Sequence, residues 1–411
     1  MRQRVPSGSP SLLRRLNSTL ILETIRRDGP ISRAGLARAT GLSKPTVNQV
    51  AELLLKEGYV DETDAGGGTP RRPGPRPRRL RFRAEMGHVL GIDVGADKTL
   101  VLAADLSGEI VATARREASG ELGREAVLLA VEETARAALS EAALAPDDVR
   151  VAGVSTPGVV DPATGRISLA PLIAGWDGLD LGGELERRLG LRVVADNETR
   201  LSLLAESWRG AAQGVSNVAH VLIGVGIGGA LLIDGRLVRG KSGAAGEIAY
   251  LLDVEEPDDA PGATPTGPFE RAAGGRAYAR LGTAAMEGPD GALLRELAGG
   301  SGAPSARTVF AAAARGDAAA AAIVAELTTR LGRGVANLAT VIDPDLVVLG
   351  GGIANAGGAL LDPVVREVRA AVPFPPRVVL SVLGDDGAAL GAVRRALDAV
   401  DETLFSFTGA R

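Results

Sequence analysis

The stretch that decides the N-terminal fold is SRAGLARATGLSKPTVNQVAELLLKEGY, residues 32–59. Ser32 stands where a hydroxyl can cap a short helix that carries Ala34, Leu36 and Ala37, and Gly41 follows it with the missing Cβ that a left-handed turn favours. Ser43 caps a second helix, in which Pro45 falls in the first turn, where its absent N–H costs little. Val47, Val50 and Leu54, spaced three and four apart, form the inward face, which leaves Lys44, Thr46, Asn48 and Gln49 outside. Asn and Gln amides can bond adenine N7 and N6 together, while Lys and Thr hold phosphates, so this helix is the expected DNA-reading element of a helix-turn-helix. Ser32, Arg33 and Ser43 are placed beside it as further DNA contacts.

Working outward, a helix from about 12 to 27 precedes this unit, with Leu13, Leu16 and Leu20 on one stripe and Ile21 and Ile25 beside it, stopped by Asp28-Gly29-Pro30. On the other side Gly58-Tyr59-Val60 opens a strand. Residues 66–79 read as a Gly/Pro/Arg hairpin, a wing whose Arg71, Arg72 and Arg76 can follow the DNA backbone or enter a narrow minor groove. Charge follows the same division: residues 1–86 hold 17 Lys/Arg against 8 Asp/Glu, net +9, and the remainder holds 29 against 42, net −13. A basic head on an acidic body confines duplex binding to the head and makes it steeply salt-dependent.

At 411 residues the chain is long enough for two or three domains. The absence of an apolar stretch of about 18 residues and of a signal-like start excludes a membrane partner and leads to an expected cytoplasmic location. With no cysteine there is neither a disulfide nor a thiolate metal site. The 55 glycines, with abundant Ala and Arg, suggest a GC-rich genome, and the alanine runs near 311–322 read as helix filler.

From residue 89 the pattern changes to short apolar strands at 89–94, 100–104 and 110–114, then helices at about 123–142, 181–189 and 199–209 with strands at 150–155, 191–195 and 218–223. Two rounds of strands leading into glycine turns, the second at 224–229 and 346–352, suggest two α/β lobes with a cleft between them.

The ordered set Ile92-Asp93-Val94-Gly95, Ser155-Thr156-Pro157-Gly158-Val159-Val160-Asp161, Asp196-Asn197-Glu198, Gly224-Val225-Gly226-Ile227-Gly228-Gly229, Gly246-Glu247-Ile248, Glu270 and Leu349-Gly350-Gly351-Gly352, behind a helix-turn-helix, resembles the ROK family of repressors, open reading frames and kinases. Specifically, it resembles the repressor branch with an N-terminal winged helix. The resemblance covers nearly the whole chain and implies a winged helix-turn-helix followed by a two-lobed α/β, actin-like sugar-kinase fold. The expected divisions are an N-terminal tail 1–10, a DNA-binding domain 11–63, an Arg-rich wing and linker 64–86, a small lobe 87–197 completed by a C-terminal helix 386–403, and a large lobe 198–385 with the effector cleft and a dimer interface.

Three departures from the family pattern bear on chemistry. Kinases of the family carry a first phosphate loop like Asp-x-Gly-Gly-Thr; here it is Asp93-Val94-Gly95-Ala96-Asp97, and a carboxylate in place of the hydroxyl repels a triphosphate. The family's general base is the Asp of an Asn-Asp pair. Asn197-Glu198 stands here instead, and a shift of about 1 Å at a base can cost ~100-fold in rate. Finally, the His that follows Gly-Glu-Ile-Gly and the three downstream cysteines of the family's zinc site are replaced by Gly246-Glu247-Ile248-Ala249-Tyr250 and an acidic segment at 255–262, while the only histidines, His88 and His220, read as structural.

By resemblance, Gly158, Asn197, Glu198, Glu247, Tyr250 and Glu270 line an effector site of hydroxyl acceptors suited to a neutral or amino sugar, with Glu198 at a degenerate base position. Asp93, Gly95, Gly226, Gly228 and Gly351 mark degenerate nucleotide loops, so no cofactor and no metal are expected. The expected function is a sugar-responsive transcriptional repressor acting as a homodimer or a dimer of dimers on a palindromic operator. The alternative is an ATP-dependent sugar kinase that also binds DNA.

Overall fold

The structure is a computed structural model that describes residues 10–63, 78–95, 98–117, 123–252, 266–299 and 302–404. The wing arginines Arg71, Arg72 and Arg76, the loop residues Ala96 and Asp97, and the acidic segment 255–262 lie outside the described residues.

The head comprises α1 (Pro10–Asp28), β1 (Ile31–Ser32), α2 (Arg33–Thr40), α3 (Lys44–Lys56), β2 (Val60–Thr63) and β3 (Arg79–Phe82), with its strands in the antiparallel order β1-β3-β2. Ser32 Oγ accepts from the Gly35 N–H at 3.1 Å, Ser43 Oγ accepts from the Thr46 N–H at 3.3 Å, and Gly41 ends α2 at φ 70°. Leu36, Val47, Val50 and Leu54 close a core with Ile21, Leu22, Ile25 and Leu80. The leucine stripe of α1 stays outside the head core: Leu13 and Leu16 are 55% and 56% exposed, and Leu20 is exposed as well. The head packs on positions 18, 21, 22 and 25, a different side of the helix, so the leucine periodicity marks a face the head core does not use.

The body has two lobes of the same plan. In the small lobe β4 (His88–Val94), β5 (Lys98–Asp105), β6 (Ile110–Glu117), β7 (Val149–Thr156) and β10 (Val193–Asn197) form a five-stranded sheet ordered β10-β7-β4-β5-β6, with α4 (Arg124–Glu141), the short β8 (Val159–Val160) and β9 (Ile167–Ser168), and α5 (Leu181–Leu189). The large-lobe sheet is β13-β12-β11-β14-β15, from β11 (Val218–Ile223), β12 (Ile227–Ile233), β13 (Arg236–Leu237), β14 (Leu346–Gly350) and β15 (Arg377–Leu380). Its helices are α6 (Glu198–Arg209), α7 (Pro268–Ala273), α8 (Gly275–Met286), α9 (Ala292–Leu297), α10 (Ala306–Ala314), α11 (Ala318–Ile342) and α12 (Gly358–Ala371). In each sheet three parallel strands continue into two antiparallel ones, the duplicated α/β plan of actin-like proteins.

The last helix, α13 (Gly387–Leu404), returns to the small lobe. Strand β4 is buried from Val89 to Val94 because both faces of its sheet are covered: Leu90, Ile92 and Val94 pack toward α4, and Val89 packs with Ala389, Val393 and Ala396 of α13. The approach is close enough to require glycine, since a Cβ on Gly153 would lie 1.9 Å from the Ala392 carbonyl oxygen and one on Gly391 would lie 1.8 Å from that of Leu201. Among the described residues no helix is long and apolar enough to cross a membrane.

Candidate functional site

The two lobes face each other across a cavity of about 340 Å³ into which the ends of β4, β7 and β10, the start of α6 and the β11–β12 turn all project. Gly158, Asn197, Glu198, Glu247, Tyr250 and Glu270, far apart in sequence, all line it. So do Asp93, Gly226, Gly228 and Gly351 of the expected nucleotide loops. Gly95 serves its own hairpin turn, its N–H donating to the Lys98 carbonyl at 2.9 Å.

Asn197 organises the floor. Its side-chain oxygen accepts from the N–H groups of Thr199 (3.0 Å) and Arg200 (3.2 Å), capping α6, and its Nδ2 donates to the Gly158 carbonyl at 2.9 Å. One Nδ2 hydrogen remains for a ligand. Because Asn197 provides the cap, the Glu198 carboxylate is released to face the cavity. Next to it, Asp196 accepts from Arg200 Nε at 2.6 Å and from Arg239 at 2.9 Å, and the buried Arg200 also donates to the Gly243 carbonyl. This network ties the start of α6 to the loop that leads into Gly246-Glu247.

The carboxylates share one electrostatic condition. Burial first, then the charges of Asp93, Glu247 and Glu270, push Glu198 up to about 7. Burial also raises Glu247, with Arg200 opposing and Glu270 adding to the shift, and it raises Glu270 against the Ile227 N–H (3.2 Å) and Arg276. Asp93 is raised by burial although Ser155 Oγ donates to it at 2.7 Å. Gly226 leaves room for the Glu270 carboxylate, whose Oε2 would lie 2.3 Å from a Cβ at that position. A cavity of carboxylate acceptors and an amide suits a polyhydroxylated ligand.

Lys98 reaches Asp385 at 3.7 Å across the cavity mouth. Other lining residues escaped the sequence reading: Arg276, at the start of α8, sits 3.8 Å from Glu270. Leu169, Pro171 and Leu172 form an apolar rim on the small lobe. Leu169 has φ 54°, a strained value for a non-glycine residue. No periodicity or motif flags these positions. The family's zinc does not fit: the segment after Gly246 offers Glu247, Ala249 and Tyr250, neither His88 nor His220 lines the cavity, and among the described residues no group of three or more ligating side chains is arranged for a metal. His220 is a core residue on β11, and burial, only partly offset by the Val348 backbone, lowers it to about 4.

On the head, Lys44, Asn48 and Gln49 are exposed along one side of α3, and Thr46 is partly so. The hydroxyls of Ser32 and Ser43 are engaged in caps, and Arg33 is held by Glu52 (2.8 Å) and Glu62 (3.0 Å), so its reach toward DNA requires breaking those pairs.

The match to known proteins agrees with this layout. The ROK family model matches residues 89–399, and a winged helix-turn-helix DNA-binding model matches residues 15–61. The chain belongs to the ROK family. This ROK protein is 27% identical to a xylose repressor from Caldicellulosiruptor bescii over 94% of its own length and 96% of that relative. Its fold superposes, with a TM-score of 0.78 and 22% identity, on a ROK-family transcriptional regulator that is a homologue of the E. coli MLC protein, covering 96% and 98% of the two chains. A ROK-family glucokinase from Streptomyces griseus, solved with glucose and AMPPNP, gives a TM-score of 0.66 at 28% identity over 76% of this chain and all of the glucokinase.

Proposed function

We propose that this ROK protein is a sugar-responsive DNA-binding repressor of carbohydrate transport or metabolism genes whose kinase-like body has lost catalysis. The observation that carries the reading is the union, in one chain, of an exposed Lys44/Asn48/Gln49 helix face with a cavity floored by Asn197, Glu198, Glu247 and Glu270. End-to-end similarity to a xylose repressor supports it, since the kinase likeness leaves the head unmatched. Two heads of a homodimer, or of a dimer of dimers, read a palindrome with half-sites about 34 Å apart or a multiple of that. A pentose or hexose closes the cleft and changes the spacing or angle of the heads. A ~100-fold change in DNA affinity requires the sugar to favour one body conformation by about 2.7 kcal/mol, within the usual range of allosteric coupling.

The test is a genome-wide footprint, repeated on purified DNA with the sugars whose transport or breakdown genes adjoin the strongest sites. Release or tightening by one sugar supports the reading; specific footprints indifferent to every sugar reduce the cleft to a scaffold.

One observation favours the kinase alternative. A carboxyl poised at about 7, as Glu198 is, is well matched to taking a hydroxyl proton at neutral pH. A coupled assay with ATP, magnesium and a hexose panel decides it: steady turnover abolished by Glu198→Ala establishes a kinase, and no turnover leaves the regulator.

A further inference from the structure

A buried ion pair joins the head to the body. Arg26, in the last turns of α1, donates from a single nitrogen, Nη1, to both carboxylate oxygens of Asp401 in α13, at 2.8 and 2.7 Å. Its guanidinium carbon lies 4.4 Å from the centroid of the Phe82 ring, and Phe82 itself packs against both the head core and the core beneath α13. Both charged side chains are more than four-fifths buried, yet Nε and Nη2 of Arg26 are enclosed without a hydrogen-bond partner among the described residues. A guanidinium can satisfy a carboxylate through two parallel N–H bonds, and here it engages through one nitrogen with two left over. The contact is buried yet incompletely satisfied, which leaves the guanidinium hydrogen bonds to gain in a second arrangement.

The other end of α13 is at the cavity. Gly384, Asp385 and Ala388, at and just before its start, are lining residues, and Gly391 touches the Leu201 main chain three residues beyond Glu198. Eighteen helical residues span about 27 Å, so one rigid element runs from the cavity to Arg26. Its seat against Gly153 and Leu201 transmits displacement, because a close-packed contact without slack moves as a unit.

We propose that α13 and the Arg26–Asp401 pair form the latch that carries the state of the sugar cavity to the DNA-binding head. This rests on the regulatory reading above. With the latch engaged the head is held in one orientation; ligand-driven movement of α6 carries α13 with it, shifts Asp401 and frees Arg26 to rotate.

The test uses the full chain. Wild type, Asp401→Asn and Arg26→Gln are compared for melting temperature with and without D-xylose and D-glucose, and for affinity toward a duplex selected from a random pool by the wild type. The sugar-dependent change in DNA affinity, on the order of 5- to 150-fold in the wild type, shrinks to within about twofold in either variant while the sugar-induced melting shift is kept. Variants that retain the full wild-type ratio overturn the latch and leave the regulatory reading intact. A wild type whose melting temperature rises with sugar but whose DNA affinity does not change sinks the regulatory reading, and the latch with it. Failure of both sugars to shift the wild-type melting temperature removes the sugar cavity as the source of the signal and overturns both.

Discussion

Asn197 and Gly158 are joined by a 2.9 Å hydrogen bond that fixes the cavity floor to the small-lobe loop, while the same Asn197 side chain caps α6 through its oxygen. Asn197→Ala removes both and costs roughly 1–3 kcal/mol of stability together with the sugar-induced melting shift. Asn197→Asp keeps the capping oxygen but turns an acceptor toward the Gly158 carbonyl, so it regains only the cap's share of that stability and still loses sugar binding. Thermal denaturation with and without sugar separates the two; an Asp variant that binds sugar normally removes Gly158 from the site.

On the proposed regulatory reading, sugar binding depends on pH through Glu198. Its folded-state value of about 7 lies above the ordinary 4.5, so the carboxylate that accepts a sugar hydroxyl forms only as pH rises through neutrality. Affinity for a neutral sugar increases from pH 5.5 to 8, by at most ~10-fold per pH unit, and then levels off. Glu198→Gln flattens the profile in calorimetric titrations, and a flat wild-type profile rules Glu198 out as the acceptor.

Acid destabilises the fold through His220. Its folded value of about 4 lies below the free value of 6.5, so the unfolded chain takes up a proton first as pH falls. Stability is complete above pH 6.5 and is lost between 6.5 and 4, by roughly 3 kcal/mol. Urea denaturation at pH 7.5 and 4.5 should show a loss larger by about that amount in the wild type than in His220→Leu; equal losses place the histidine in a wetter site than β11 provides.

Two substitutions on α3 separate recognition from attraction. Asn48→Ala relaxes sequence preference at one base pair by about 1–3 kcal/mol. Lys44→Ala weakens binding to every sequence and lowers the salt slope by about one. If Asn48→Ala leaves operator preference unchanged in a binding-selection experiment, α3 is not the reading helix.

The head was legible because its signals are local. A capping hydroxyl, a glycine in the left-handed region and a three-four apolar spacing each act within one turn, and Ser43, Gly41 and Val47-Val50-Leu54 do in the structure what their spacing implies. The cavity acceptors were reachable only through family resemblance, since nothing local links Gly158 to Glu270. What stayed hidden depends on three-dimensional approach: Arg276 beside Glu270, Arg33 locked by two glutamates, and Arg26 against Asp401, 375 residues away in the chain. The leucines of α1 show the same limit, because helical periodicity identifies a stripe without saying which neighbour covers it.

The return of α13 to the small lobe sets the order in which the protein can be made. Val89, Leu100, Leu102 and Val151 await a helix whose residues leave the ribosome some 240 to 310 positions later. At a synthesis rate of about 5–20 residues per second the finished head therefore trails a half-covered sheet for on the order of 10 seconds or more. During that interval an apolar face is open to misassembly, until α13 arrives to cover it.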